Sequence, residues 1–103
     1  MADVYTTGSW RPFPEAEERF VHAWEEFAGW ASMLPGAGRA ILGRDLRDPG
    51  RFVSFVAWSD LDAARAWKSS PEFKPRMSQV QEHVDEFAPT ELEVVAVVEA
   101  GGG

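Results

Sequence analysis

The fold is decided by residues 52–77, which read F-V-S-F-V-A-W-S-D-L-D-A-A-R-A-W-K-S-S-P-E-F-K-P-R-M. The stretch Phe52–Trp58 is apolar on both faces and is typical of a strand that is covered on both sides. Ser59 is predicted to cap a helix whose inner side is formed by Leu61, Ala64 and Trp67. Ser70-Pro71 predicts the start of another helix. The segment therefore predicts a strand followed by a broken helix.

The chain before this segment contributes two further strands and a long helix. β-branched and aromatic residues alternate over Val4–Arg11, which predicts the first strand. Apolar residues then recur at helical steps from Ala16 to Leu34, and Pro35-Gly36-Ala37-Gly38 is expected to end that helix. Arg39–Leu46 is predicted to form a hairpin with the strand described above, because the intervening Pro49-Gly50 suits a tight turn.

The chain after this segment completes the predicted fold. The spacing of its apolar residues predicts a helix that Pro89 closes, with an inner face made of Phe73, Met77, Val80, Val84 and Phe87. Leu92–Glu99 is rich in valine and is predicted to be the last strand. Residues 1–100 then form a single domain, and Gly101–Gly103 is expected to be a disordered tail. This order predicts an α+β, ferredoxin-like (split βαβ) antiparallel sheet with helices on one face.

One face of the predicted sheet is left without a cover. In the strand Phe52–Trp58, the side chains of Val53, Phe55 and Ala57 point away from those of Phe52, Val56 and Trp58. Two helices cannot cover both sets, so the bare face needs another partner. We therefore expect a homodimer that packs sheet face against sheet face, an arrangement in which the last strand is often exchanged between the subunits.

Composition excludes several classes of function. The 103 residues carry a net charge of -7, which disfavours nucleic acid and anionic membrane surfaces as partners. Cysteine is absent, so Cys-ligated metal sites are excluded, and no apolar run approaches the length of a membrane span. A cytoplasmic location is the default expectation because the N-terminus resembles no secretory signal. A cluster of arginines is interpreted as solvated hairpin charge, namely Arg39, Arg44, Arg47 and Arg51.

The sequence resembles the antibiotic biosynthesis monooxygenase family of dimeric α+β barrel proteins. The resemblance is carried by Phe55-Val56-Ala57-Trp58-Ser59, by Ala66-Trp67 and by Lys68-Ser69-Ser70-Pro71-Glu72-Phe73. It implies a pocket between the helices and the sheet, lined by Trp67. Members of the family include cofactor-free oxygenases that turn phenolic polyketides into quinones, haem-degrading enzymes, small-molecule isomerases and proteins of unassigned role.

Two departures from the family's branches narrow the expected chemistry. The haem-degrading branch has an axial His where this chain has Met77, and its catalytic Asn is missing because the sequence contains no Asn. The quinone-forming branch has a phenol where this chain has Phe73, which cannot transfer a proton. The family resemblance therefore implies a pocket without its best-known reactive groups.

The favoured hypothesis is a cofactor-independent monooxygenase that acts on a small aromatic or polyketide-like substrate and needs no metal. The alternatives are a non-catalytic ligand-binding or assembly dimer and, third, a haem-degrading monooxygenase. The candidate catalytic residues are His83 as base, Arg76 as anion stabiliser and Tyr5 as acid. The candidate substrate-binding residues are Trp67, Phe73, Trp58, Met77 and Arg11.

Overall fold

A computed structural model describes residues 3–101. Over this range the chain forms a four-stranded sheet with the order β2-β3-β1-β4, in which every neighbouring pair is antiparallel. The helices cover one face of the sheet, and a short 3-10 helix, Pro14–Ala16, precedes the first of them. The elements are β1 (Val4–Pro12), α1 (Glu17–Ala31), β2 (Ala37–Arg44), β3 (Phe52–Trp58), α2 (Leu61–Ser69), α3 (Phe73–Gln81) and β4 (Val84–Glu93). The predicted α+β, ferredoxin-like fold is confirmed.

The core lies between the helices and the inner face of the sheet. Strand β1 alternates strictly, so that Val4, Thr6 and Trp10 are buried under the helices while the residues between them face outward. Phe20, Trp58 and Val80 are the largest fully buried side chains. The register pairs Val4 with Trp58, which brings the ends of β1 and β3 together under α2.

The long helix α1 and the turn after it follow the sequence pattern. The helix buries the apolar side chains spaced at three- and four-residue steps, among them Phe20, Trp24 and Phe27. Gly36 then adopts a positive φ of 82°, which side chains rarely tolerate. A Cβ at this position would also lie 2.6 Å from the Cβ of Ala63, so glycine is required both for the turn and for its contact with α2.

The predicted helix cap at Ser59 is wrong, because the residue after it takes that role. Asp60 has an extended backbone, and its Oδ1 accepts a hydrogen bond of 2.8 Å from the backbone N–H of Ala63. The hydroxyl of Ser59 instead lies near the Gly36 turn. The next helix also begins later than Ser70, at Phe73.

The largest correction concerns the end of the chain. Residues predicted to extend the last helix through Phe87 form strand β4 instead, and Leu92–Glu99 is not a strand beyond Glu93. β4 pairs with the free edge of β1, from the pair Pro12 and Val84 at one end to the pair Val4 and Glu93 at the other. This long-range pairing outweighs the helical spacing of Val84 and Phe87. Pro89 is tolerated because β4 is an edge strand.

The outer face of the sheet carries exposed apolar side chains. Phe55 is 38% exposed, Leu92 is 45% exposed and Ile41 is 46% exposed. Beyond β4 the chain has no regular structure through residue 100, and Val95, Val97 and Val98 are exposed. Gly101 is exposed as well, while the rest of the predicted tail, Gly102 and Gly103, lies outside the described residues. No helix in residues 3–101 is long and apolar enough to cross a membrane.

Candidate functional site

A cavity of about 230 Å³ lies between the three described helices and the inner face of the sheet. It is slightly smaller than the ~300 Å³ at the lower end of typical ligand pockets, so it suits a compact ligand. Its wall is mainly aromatic, with contributions from Trp10, Trp24, Phe27, Trp67, Phe73 and Phe87. Such a wall favours a planar apolar molecule.

Trp67 is held rigidly in this wall by the aromatic rings around it. Its side chain is only 5% exposed, and its ring centroid lies 5.0 Å from that of Trp58. Phe73 meets Trp67 edge-on at 4.9 Å, and Phe27 lies 5.6 Å from Trp67 and 5.8 Å from Phe73. Ring pairs in these geometries stabilise one another beyond simple burial. The indole therefore packs in the core and lines the cavity at once.

The N–H groups of the buried indoles differ in how they are satisfied. Trp10 Nε1 donates to Ser54 Oγ at 2.9 Å, and Trp58 Nε1 donates to Thr6 Oγ1 at 3.1 Å. Among the buried side-chain nitrogen and oxygen atoms that the structure describes, Trp67 Nε1 alone has no partner. An unpaired buried donor costs about 1–3 kcal/mol, and a hydrogen-bond acceptor that reached this N–H would recover that cost.

One edge of the cavity carries a charged group. Lys68 lines the cavity near the end of α2, and its Nζ lies 3.1 Å from Glu91 Oε2 on β4. Glu91 is paired with Thr6 across the sheet, so both residues face the helices. Among the described residues that line the cavity, Lys68 is the only one with a formal charge.

The sequence model of the antibiotic biosynthesis monooxygenases matches residues 4–79, more than half of the chain. The chain belongs to the antibiotic biosynthesis monooxygenase family. The matched residues include α2 with Trp67 and Lys68 but end before β4. No curated protein matches the chain significantly.

Solved structures of similar fold agree with this assignment. A mutant of SnoaB, a cofactor-independent oxygenase from Streptomyces nogalater, has a TM-score of 0.87 and 18% identity over 97% of this chain and 100% of that one. A Deinococcus radiodurans protein assigned to antibiotic biosynthesis monooxygenases has a TM-score of 0.83 and 18% identity over 96% and 99%. A conserved protein from Methanosarcina mazei Go1 has a TM-score of 0.79 and 16% identity over 90% of this chain and 93% of that one. At these identities the likeness shows the shared fold.

Most of the predicted substrate-binding residues lie at the cavity of this family member. Trp67, Phe73 and Met77 line it. Trp58 is fully buried behind Trp67 and contacts its ring, so it supports the wall from behind. Arg11 lies elsewhere, paired with Asp48 of the β2–β3 hairpin and 3.9 Å from Glu86.

The predicted catalytic residues are not brought together at the cavity. Tyr5 alternates with the buried residues of β1 and so points to the outer face of the sheet. Arg76 pairs with Glu72 at 3.1 Å and lies 4.9 Å over the ring of Trp30. His83 borders a separate, open groove between α1 and α3 that also contains His22. None of the three lines the cavity that the described residues form.

Sequence reasoning missed the polar residues of the cavity. Ser54 and Thr6 are buried and accept hydrogen bonds from indoles, and their only sequence signal was a polar residue on the inner face of a strand. Lys68 follows Trp67 directly but reads as an ordinary surface residue on a helix. Glu91 carried no signal, because its strand was predicted in the wrong place.

Two of the four clustered arginines pair with neighbouring carboxylates. Arg51 Nη1 lies 2.9 Å from Asp45 Oδ2, and Arg44 Nη1 lies 3.0 Å from Glu17 Oε1. Hydrogen bonds from the backbone N–H of Arg47 and from Arg51 lower the pKa of Asp45. The side-chain hydrogen bond from Arg11 likewise lowers the pKa of Asp48. This pairing agrees with the interpretation of these residues as hairpin charge.

Proposed function

We propose that the protein is a cofactor-independent monooxygenase that oxidises a small, planar, electron-rich aromatic compound in the cavity beside Trp67. The observation that carries the proposal is a partly open aromatic cavity with Trp67 in its wall, whose buried N–H has no partner among the described residues. Family membership supports an oxygenase-type role. SnoaB, which has the same fold, is a cofactor-independent oxygenase.

The reaction we propose needs no external reductant. An anthrone-type substrate is oxidised at its ring methylene: two C–H bonds break, one oxygen atom of O₂ becomes the new carbonyl oxygen, and the other leaves as water with both hydrogens. The substrate supplies the electrons, so the protein only has to bind, orient and exclude water. The N–H of Trp67 would donate to the substrate oxygen on which negative charge develops.

One feature of the cavity favours a second candidate function, ligand binding without turnover. The described residues that line the cavity include no carboxylate, imidazole or phenol that could remove a proton from a substrate. The ring of Phe73, which packs edge-on against Trp67, cannot transfer a proton either. A substrate must then ionise through its own acidity. A molecule too weakly acidic to do so would bind and leave unchanged.

Oxygen uptake with 1,8-dihydroxyanthrone, beside a protein-free control, tests the proposal. We expect consumption of O₂ and formation of the corresponding quinone in equal amounts. Replacing Trp67 by Phe keeps a ring but removes the donor, and we expect kcat to fall about 10²-fold, as when one donor to an oxyanion is lost. The matched control is Trp30→Phe, because Trp30 packs on Phe27 but does not line the cavity.

The outcomes of this experiment separate the two functions. Binding of the anthrone, seen by tryptophan fluorescence, without uptake above the protein-free rate would contradict the monooxygenase and support the ligand-binding function. Equal uptake by the Trp67→Phe and Trp30→Phe variants would show that the Trp67 N–H is not the donor we propose.

We also propose that the active form is a homodimer. The outer sheet face carries Phe55, Ile41 and Leu92, all more than a third exposed, which is costly in water. The exposed valines beyond β4 lie in the segment predicted to exchange between subunits. A second copy of the same face would bury these residues by a self-complementary contact.

A further inference from the structure

Lys68 places a positive charge at an otherwise uncharged cavity. Its side chain is 32% exposed, so it lies at the boundary between the aromatic wall and solvent. An ammonium group has three N–H donors, and the one hydrogen bond found for Lys68 is to Glu91. The remaining donors of Lys68 are therefore available to a ligand without breaking the contact with Glu91.

The ion pair with Glu91 is also weak enough for Lys68 to interact with a ligand instead. Both side chains are partly exposed, at 32% and 40%, and ion pairs of this kind contribute little to stability. A negative charge inside the apolar cavity would interact with Lys68 more strongly than Glu91 does in solvent, because the local dielectric is lower. Glu91, in turn, would repel that same charge.

From this arrangement we infer that Lys68 is a binding residue for the ionised oxygen of an acidic aromatic ligand, a phenolate or an enolate, and that Glu91 weakens this binding. The inference rests on the proposed function, since it concerns the same cavity. It also explains why the cavity needs no catalytic base, because a ligand that is already ionised has no proton to lose. Lys68 would then favour the ionised ligand over its neutral analogues.

A matched pair of ligands tests the inference by isothermal titration calorimetry. The probe is 2-hydroxy-1,4-naphthoquinone, which is an anion at neutral pH, and the reference is its uncharged methyl ether, 2-methoxy-1,4-naphthoquinone. We expect the native protein to bind the anion about tenfold more tightly than the ether. Lys68→Gln should remove this preference and leave the affinity for the ether unchanged, which also shows that the variant is folded.

Two further variants complete the test. Glu91→Gln should raise the affinity for the anion several-fold and leave that for the ether unchanged, because it removes a repelling charge while Lys68 stays. Lys74→Gln removes the same charge from an exposed position on α3 and should behave as the native protein does.

The results distinguish this inference from the proposed function. A preference for the anion that survives Lys68→Gln, or equal binding of both ligands by the native protein, overturns the role of Lys68 while leaving an aromatic-binding cavity in place. Failure of the native protein to bind either ligand contradicts both proposals.

Discussion

Gly8 shows at the scale of one residue how tightly the cavity wall is built. It lies in β1, between β3 and the edge strand β4, and lines the cavity. A Cβ on Gly8 would lie 2.7 Å from Trp10 Nε1 and 2.9 Å from Phe87 Cε1. Both atoms belong to rings stacked at 4.1 Å, so an added methyl group would force these rings to shift. The close approach of two aromatic rings, rather than a turn, requires glycine here.

Gly8→Ala is therefore expected to destabilise the protein by about 1–3 kcal/mol, the cost of displacing packed side chains. It should also weaken binding of a planar ligand, because Trp10 and Phe87 must shift into the cavity. Urea unfolding measures the first effect and calorimetry the second. The control is Gly43→Ala in β2, where the nearest atom to an added Cβ is 4.0 Å away. Equal stability of the two variants would contradict this account of the wall.

At the scale of elements, charged pairs hold the loop of the β2–β3 hairpin. Asp48 accepts from Arg11 and so ties the loop to β1, whereas Asp45 Oδ2 lies 2.9 Å from Arg51 within the loop itself. The pKa of each carboxyl is lower in the folded protein, so the unfolded chain takes up protons first as the pH falls. The two pairs thus contribute fully to the stability of the fold above the ordinary Asp pKa of about 3.9, and this contribution is lost as the pH falls below it.

Asp48→Asn should consequently lower stability at neutral pH and reduce the further loss on acidification. Urea midpoints measured at about pH 7 and about pH 3, on either side of the ordinary Asp pKa, check this sign. Asp62→Asn on α2 provides a control outside the hairpin. A steeper loss on acidification in Asp48→Asn than in the native protein would contradict the assigned pKa direction.

The elements also show which parts of the fold could be predicted from the sequence. β3 was predicted to the residue and α1 to within a few residues, because local apolar periodicity and adjacent Pro and Gly residues mark both. β4 could not be predicted, because Val80, Val84 and Phe87 keep helical spacing and only pairing with distant β1 makes the last two a strand. The cavity residues divide in the same way. Trp67 and Phe73 were predicted from the sequence, whereas the ion pair between Lys68 on α2 and Glu91 on β4 was not.

At the scale of the whole molecule, one face of the sheet determines how the protein is expected to assemble. The outer face presents Phe55 near its centre, on β3 between β2 and β1. A dimer through this face would leave the cavity on the opposite, helical side of each subunit. Ligand binding and assembly would then use separate surfaces.

Phe55→Glu is expected to convert the proposed dimer to a monomer, because it would bury a pair of like charges at the interface. Sedimentation velocity at micromolar concentration measures the change. Leu46→Glu makes the same chemical change at a residue that is 90% exposed beyond β2 and should leave the dimer intact. A native protein that sediments as a monomer would overturn the proposed assembly.

The position of β4 bears on how ligand preference can diverge in evolution. Trp67 and Lys68 lie within the stretch that matches the family, whereas Phe87 and Glu91 lie on a strand beyond it. β4 is an edge strand that pairs with β1 alone, so substitutions on it leave the pairing of β1, β2 and β3 with one another in place. A duplicated gene could thus acquire a different ligand by substitutions on this strand while the helix that carries Trp67 stays unchanged.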